Sequence, residues 1–242
     1  MAFTTHLGVI VTTTGLNTAE IKKRKEAYAS CISERTKLTL VKTRAGPPST
    51  DSRYEELLAA PHIIATAEQL VKSGVNSIII SCFGDPAVGA LREIFDIPVV
   101  GPAEASIAIA LNLGGKFSII TILENGISML EECVQRMGLG SRLASIRAIG
   151  IRPDNLEKNV QKTAAAVSRQ VKIAIERDHA ATIIIGCNSP EMAFEADRLR
   201  KLFPIPIINP IRAAVNMAES LVRQNLRNSR VTYRTPISLH RA

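Results

Sequence analysis

Tryptophan is absent from this chain of 242 residues, and all aromatic residues together make up only 4% of it. Hydrophobic residues nevertheless amount to 46%, so the core has to be built mainly from aliphatic side chains. Such a composition is typical of sheets covered by helices, and it argues against an aromatic-rich β-sandwich. No apolar run reaches the roughly 18 residues needed to cross a membrane. We therefore expect no membrane-spanning segment and no membrane partner.

We also expect no export signal. The start, MAFTTHLGVIV, has neither a basic region nor a small-residue cleavage site, so we predict a first β-strand there and a cytoplasmic location. The four cysteines are Cys31, Cys82, Cys133 and Cys187. Because disulfides are rare in a reducing cytoplasm, and no pair has the close spacing of zinc ligands, we expect four free thiols and no metal site.

The basic residues lack the interleaved aromatic residues of a surface that binds single-stranded nucleic acid. The net charge is +8 and the pI is about 9.6, but the basic residues are dispersed except for KKRK at residues 22–25 and the tail at residues 223–241. We predict that KKRK forms the outer face of an amphipathic helix and that the tail is a loosely held terminus. No nucleic-acid partner is therefore expected.

Short β-branched runs alternate with helical patterns along the chain, which predicts right-handed βαβ units. NSIIIS at residues 76–81 and ATIIIG at residues 181–186 are continuous apolar runs, typical of strands buried on both faces of a parallel sheet. A helix is predicted over residues 61–73, ended by Gly74, and a long helix over about residues 154–178.

The second half of the chain repeats the first. NSIIISC ends at Cys82, and ATIIIGC ends at Cys187, 105 positions later. IPVVGP begins at Ile97 and recurs as IPIINP, which begins at Ile205, 108 positions later. Two motifs that recur in the same order at nearly the same separation indicate a duplication.

The predicted fold class is therefore α/β, with two pseudo-symmetric halves that are each a mainly parallel sheet flanked by helices. We place the first half at residues 1–102 with residues 211–242, whose C-terminal helix completes it, and the second half at residues 103–210. Ligands of open α/β sheets bind beyond the carboxyl ends of the strands. We accordingly expect the active site in the cleft between the halves, with both repeated cysteines facing it.

The repeated cysteines are the candidate catalytic groups. Each one precedes a predicted helix start, with Asp85 and Pro86 in the first copy and Ser189 and Pro190 in the second as cap and first-turn residues. A helix N-terminus favours a thiolate, which is both a base and a nucleophile. One thiolate and one thiol on opposite faces of a carbon acid would form a two-base racemase. None of the four histidines lies in these motifs, so a hydrolase with a histidine base is poorly supported.

These motifs resemble the aspartate/glutamate racemase superfamily, and most closely its hydantoin racemase branch. SCFGDPAVGALREIFDIPVVGPAEAS is the most specific block, and the resemblance extends to GPPSTDSRYEELLAAPHII, SIRAIGI, IIIGC and IPIINPI. It implies racemisation without a cofactor, a small-molecule substrate, a homo-oligomer, and Cys82 and Cys187 as acid and base. The residues expected to line the substrate site are Thr13, Thr14, Ser49, Thr50, Phe83, Gly84, Thr121, Asn188 and Ser189.

The chain departs from the branch at three places where substrate should bind: TTTG after the first strand, Ser-Thr-Asp-Ser in the loop, and NSPEM after Cys187. The leading hypothesis is a racemase of 5-substituted hydantoins or related cyclic ureides. An aspartate or glutamate racemase, whose substrate carboxylates Lys42 or Arg44 could reach, stays open, as does a maleate cis–trans isomerase. A malonate decarboxylase would need only one thiol. A non-catalytic small-molecule-binding protein is the remaining alternative.

Overall fold

The computed structural model describes residues 5–241, apart from the side chains of Asp154, His240 and Arg241. This part of the chain divides into two compact units. The first unit comprises the chain up to Thr50, Tyr54–Pro102 and the chain from Ala214 onward, and the second comprises Asp51–Arg53 and Ala103–Ala213.

The first unit is built on a parallel four-stranded sheet, counted within residues 5–100, with the strand order β2-β1-β3-β4. Its elements, in chain order, are β1 (Thr5–Val11), α1 (Thr18–Ala29), β2 (Thr36–Lys42), α2 (Arg53–Lys72), β3 (Ser77–Ile80), α3 (Val88–Ile94) and β4 (Val99–Val100). The chain passes from the first unit to the second at the start of α4 (Pro102–Leu113).

The second unit contains a second parallel sheet, of four strands within residues 117–208, with the order β6-β5-β7-β8. Its elements are β5 (Phe117–Thr121), α5 (Asn125–Arg136), β6 (Leu143–Ala148), α6 (Val160–Glu176), β7 (Thr182–Ile185), α7 (Pro190–Leu199) and β8 (Ile207–Ile208), and α8 (Pro210–Arg223) leads back to the first unit. Both sheets have the same connectivity, so the predicted α/β fold of two parallel sheets flanked by helices is confirmed.

The strands that precede the two cysteines end in the same way. Ser81 N donates a 2.8 Å hydrogen bond to Ile10 O, and Gly186 N donates a 2.8 Å hydrogen bond to Ile120 O. Each bond prolongs the pairing of the central strands by one residue, with β3 against β1 and β7 against β5. The next residue in each copy is the cysteine, which therefore lies just beyond the carboxyl edge of its sheet.

Two helices begin at residues other than those predicted. Helix α2 begins at Arg53 rather than at Pro61, which lies exposed inside the helix. The buried residues of α2 lie on both sides of the proline, at Ala59 and Ile63, so packing outweighs the hydrogen bond that proline cannot donate. Helix α6 begins at Val160, because the side chain of Asn159 caps it by accepting from the third residue of the helix.

The basic tail is held against the first unit, so the prediction of a loosely held terminus is wrong. Asn228 Nδ2 donates to Ile97 O at 2.7 Å. The guanidinium of Arg230 donates to Glu93 O at 2.7 Å and pairs with Asp96 at 2.7 Å. These donors satisfy carbonyls just before and just after the end of α3, a contact between distant parts of the sequence that charge spacing alone does not reveal.

A buried carboxylate joins α8 to the first unit. Glu219 Oε1 accepts from Ser33 N at 2.8 Å, from Ser33 Oγ at 3.1 Å and from Thr36 Oγ1 at 2.6 Å. A carboxylate that is buried with three donors is satisfied, so this network fixes the second half of α8 on the turn that leads into β2. Among the helices of residues 5–241, none is long and apolar enough to cross a membrane.

Candidate active site

Cys82 lies half-buried beyond β3, where a loop and two strand ends converge. Its Sγ is 3.3 Å from Thr50 Oγ1, on the loop that follows β2. Thr50 Oγ1 is in turn 3.5 Å from the buried Thr12 Oγ1, on the first residue after β1. Two hydroxyls and one thiol thus form a chain of polar contacts at the carboxyl edge of the first sheet.

Two carboxylates flank this chain. The side chain of Glu56, in the first turn of α2, reaches the backbone of Gly84, where an added Cβ would overlap Glu56 Oε1 and would lie 3.9 Å from Cys82 Sγ. The carboxylate of Asp85 lies against Gly101 in the same way, and a side chain at Gly101 would displace it. The absence of side chains at both glycines is therefore what allows the carboxylates to approach.

These surroundings keep the proton on Cys82. Burial of the thiol raises the pKa of Cys82 from 9.0 to about 12, and the negative charges of Glu56 and Asp85 also raise this pKa. Hydrogen bonds from the Thr50 hydroxyl and the Gly84 N–H lower it, but they do not outweigh burial. Cys82 is accordingly a neutral thiol at physiological pH.

The prediction that Asp85 caps a helix directly after Cys82 is wrong. Helix α3 begins only at Val88, and Ala87 precedes it without any side-chain cap. Asp85 and Ala87 both have left-handed backbone conformations, with φ of 54° and 60°. The chain therefore makes a tight turn between Cys82 and α3, and no helix N-terminus follows this cysteine directly.

Cys187 has the helix that Cys82 lacks. Ser189 caps α7 by accepting from Met192 N at 3.3 Å, and Pro190 is the first residue of the helix, as predicted. Before the cysteine, Gly186 is packed so tightly that an added Cβ would lie 2.6 Å from Ile119 Cγ2. Cys187 therefore lies between a rigid strand end and the capped N-terminus of a ten-residue helix, where the helix dipole favours negative charge.

Two of the predicted substrate-binding hydroxyls donate hydrogen bonds that hold the neighbouring loops together. Thr14 Oγ1 donates to Gly46 O at 3.2 Å and to Pro47 O at 3.1 Å, and so ties the loop after β1 to the loop after β2. Ser49 Oγ donates to Glu55 Oε1 at 2.7 Å. Both hydroxyls hold the loop that carries Thr50, whereas Thr50 itself contacts the thiol.

The other predicted residues lie at or next to the carboxyl edges of the two sheets. Phe83 is buried beside Cys82, and Thr13 is half-buried after β1. Thr121 is the buried last residue of β5, next to the residue whose carbonyl holds Gly186. Asn188 and Ser189, which follow Cys187, are also buried. The second unit therefore brings together Thr121 and the segment around Cys187.

Sequence reasoning missed three residues around Cys82. Thr12 begins the same threonine run as Thr13 and could have been chosen from its position directly after a buried strand. Glu56 was missed because the helix was expected to begin after it. Arg24, within KKRK, does not lie on an outer face: its Nη1 donates to Ser81 Oγ at 3.1 Å and to Ser81 O at 3.3 Å. No sequence signal distinguishes Arg24 from its basic neighbours.

Lys42, which the sequence suggested as a clamp for a substrate carboxylate, is directed elsewhere. Its Nζ donates to Leu16 O at 2.8 Å and to Thr14 O at 3.3 Å. It therefore supports the loop after β1, while Arg44 is exposed. Within residues 5–241, no group of three or more His, Cys, Asp or Glu side chains could hold a metal ion.

Comparison with known proteins identifies relatives along most of the chain. A family model described as Asp/Glu/Hydantoin racemase matches residues 8–218. The hydantoin racemase of Pseudomonas sp. (strain NS671) is 33% identical over 219 residues, which cover 90% of this chain and 87% of that protein. The hydantoin racemase of Rhizobium meliloti is 32% identical over 191 residues, 78% of each chain. Allantoin racemase from Pseudomonas fluorescens superposes with a TM-score of 0.89 at 28% identity, covering 96% of this chain and 97% of that one.

Proposed function

Because this chain belongs to the Asp/Glu/hydantoin racemase family and is a racemase, we propose that it inverts C5 of a 5-substituted hydantoin or a related cyclic ureide. In such a ring, C5 is bonded to the carbonyl carbon C4, so the carbanion formed at C5 is stabilised as an enolate. The relatives named above act on hydantoins or on allantoin, which supports a substrate of this class.

Two thiols supply the acid and the base in the proposed reaction. One cysteine, as the thiolate, removes the C5 proton, and the electron pair of the C–H bond moves into the C4 carbonyl. The thiol of the other cysteine then donates its proton to the opposite face of C5, and its S–H electron pair stays on sulfur. Substrate and product differ only in configuration, and the two cysteines have exchanged protonation states. The equivalent strand-end positions of Cys82 and Cys187 support this pairing.

The helix that follows Cys187 suits the enolate intermediate. Ser189 caps α7, so the positive end of the dipole of this helix lies within a few residues of the thiol. A helix N-terminus favours a negative charge that develops nearby.

The charge around Cys82 is the observation that favours a neutral ring over an amino-acid substrate. Glu56 and Asp85 both raise the pKa of Cys82, so this region is negatively charged. The nearby cation, Arg24, donates to Ser81, and Lys42 donates to backbone carbonyls. Aspartate or glutamate would bring two further carboxylates to this region. A hydantoin ring is neutral and carries N–H donors that a carboxylate can accept.

The proposal is tested by incubating single enantiomers in D₂O without added metal or cofactor. NMR follows the loss of the C5 proton, and polarimetry follows the loss of rotation. We expect enzyme-dependent exchange and racemisation of 5-substituted hydantoins or allantoin, and neither exchange nor isomerisation with aspartate, glutamate or maleate. The Cys31→Ser variant should keep full activity, because Cys31 lies outside both strand-end motifs.

Two results would contradict the proposed substrate. One is racemisation of aspartate or glutamate in preference to every cyclic ureide, which would assign the chain to the amino-acid racemases. The other is binding of a hydantoin with no exchange of its C5 proton, which would indicate a binding protein. Loss of racemisation in both the Cys82→Ser and the Cys187→Ser variants would support the two-thiol step itself.

A further inference from the structure

We propose that Glu56 is a positioning residue that adds to burial in keeping the proton on Cys82, so that Cys82 is the acid and Cys187 the base in the resting enzyme. The inference rests on the proposed two-thiol reaction and adds to it an assignment of roles. It concerns a residue of α2 that lies outside both repeated cysteine motifs. Because α2 follows Cys82's loop partner Thr50 by only a few residues, one short segment supplies both polar neighbours of this thiol.

The geometry at Gly84 carries the proposal. Glu56 Oε1 and Cys82 Sγ both lie within 4 Å of the point that a Cβ of Gly84 would occupy. This carboxylate oxygen is buried, so little water screens its charge from the sulfur. A thiolate at Cys82 would place a second negative charge beside the first in a poorly solvated region, whereas a neutral thiol would not. Glycine at position 84 is what permits this approach.

The other charged groups around Cys82 do not cancel the effect of Glu56. From the turn after the cysteine, Asp85 adds a second negative charge that disfavours the thiolate. From α1, the guanidinium of Arg24 contributes a positive charge, but it donates to Ser81 Oγ and Ser81 O rather than to the sulfur. Thr50 favours the thiolate through one hydrogen bond. The balance therefore favours the thiol.

The surroundings of Cys187, in the second copy of the repeat, differ from those of Cys82. Cys187 is followed by the capped N-terminus of α7, which favours a thiolate. In the resting enzyme the Cys187 thiolate is thus ready to remove a proton, and the Cys82 thiol is ready to donate one. Turnover leaves the Cys82 thiolate and the Cys187 thiol. Proton exchange with solvent, or turnover in the reverse direction, restores the starting state.

The test measures the thiol directly and needs no substrate. The full chain is treated with iodoacetamide between pH 7 and pH 10, and mass spectrometry of the Cys82 peptide gives its alkylation rate. Since only the thiolate reacts, removing the Glu56 charge should increase this rate. For Glu56→Gln at pH 8 we expect an increase of about three- to tenfold, where tenfold corresponds to one pKa unit. The alkylation rate of the Cys187 peptide should be unchanged.

Two variants separate charge from packing. Glu56→Asp keeps the carboxylate and should keep a slow rate close to that of the wild-type chain, while Glu68→Gln removes an exposed charge from the same helix and should change nothing. Cys82 alkylation that is unchanged or slower in a folded Glu56→Gln protein would overturn the proposal. Equal acceleration by Glu56→Asp would also overturn it, because packing rather than charge would then be responsible. Failure of the racemase assay would leave this readout intact, so the two proposals fail separately.

Discussion

The two repeated cysteines occupy the same position in two sheets of identical connectivity, yet their surroundings differ. Cys82 is followed by a tight turn with left-handed residues and is flanked by the carboxylates of Glu56 and Asp85. Cys187 is followed at once by a capped helix. The duplication therefore preserved the strand-end position, and the segments around it diverged. The proposed reaction needs one thiol and one thiolate at a time, and we infer that the unequal surroundings of the two cysteines establish this difference before substrate binds.

Among the substitutions considered, the largest effect on kcat is expected from adding a methyl group at Gly84, on the Cys82 side. A Gly84→Ala side chain would overlap Glu56 Oε1, so this carboxylate would have to shift, whereas Cys82 Sγ would be in ordinary contact with the new Cβ at 3.9 Å. We expect kcat to fall by up to about 100-fold, the typical cost of a displacement of about 1 Å beside a reacting group. Thermal unfolding should change little, because the end of the Glu56 side chain can move. A fall in stability without loss of kcat would contradict this account of Gly84.

A methyl group added at Gly186, on the Cys187 side, should instead lower the stability of the fold. In Gly186→Ala the new Cβ would lie 2.6 Å from Ile119 Cγ2 and 3.2 Å from Ile120 O, inside the sheet. Overpacking of this kind costs about 1–3 kcal/mol, which denaturant unfolding would measure. Wild-type stability in Gly186→Ala would show that the two strand ends are not as rigid as the 2.8 Å hydrogen bond at Gly186 indicates.

A smaller effect, on the alkylation rate of Cys82, is expected when the Thr50 hydroxyl that contacts this thiol is removed. Thr50→Val removes the hydrogen bond that lowers the pKa of Cys82, so this pKa should rise further above its value of about 12. Fewer thiolates would then form at any pH below that value. Alkylation of Cys82 at pH 9 should slow several-fold, up to about tenfold for the loss of one hydrogen bond. Thr50→Ser keeps the hydroxyl and should behave as wild type; faster alkylation of Thr50→Val would contradict the assignment.

The sequence was informative where the relevant signal is local. The apolar runs before Cys82 and Cys187 predicted two buried parallel strands, and the Ser-Pro pair after Cys187 predicted the start of α7. Each of these depends on a few consecutive residues. The same local reasoning was wrong at Asp85, because the turn after Cys82 holds this residue in a left-handed conformation against Gly101.

The rest of the candidate site depends on contacts between distant parts of the chain. Arg24 belongs to a basic run that resembles a solvated helix face, and only the fold brings it to Ser81. Pro61 suggested a helix start, and this excluded Glu56 from consideration until packing showed a longer helix. The tail was expected to be loose because its contacts with the end of α3 involve backbone carbonyls, which no side-chain pattern reveals.

The most direct test of the two-thiol account is to give each enantiomer of a 5-substituted hydantoin separately to the Cys82→Ala and Cys187→Ala variants in D₂O. We expect neither variant to racemise either enantiomer. The Cys82→Ala variant should still exchange the C5 proton of one enantiomer for deuterium without inversion. The Cys187→Ala variant should exchange the other enantiomer, but much more slowly, because Cys82 rests as a neutral thiol. Racemisation by either variant, or exchange of the same enantiomer by both, would contradict the assignment of one thiol to each face.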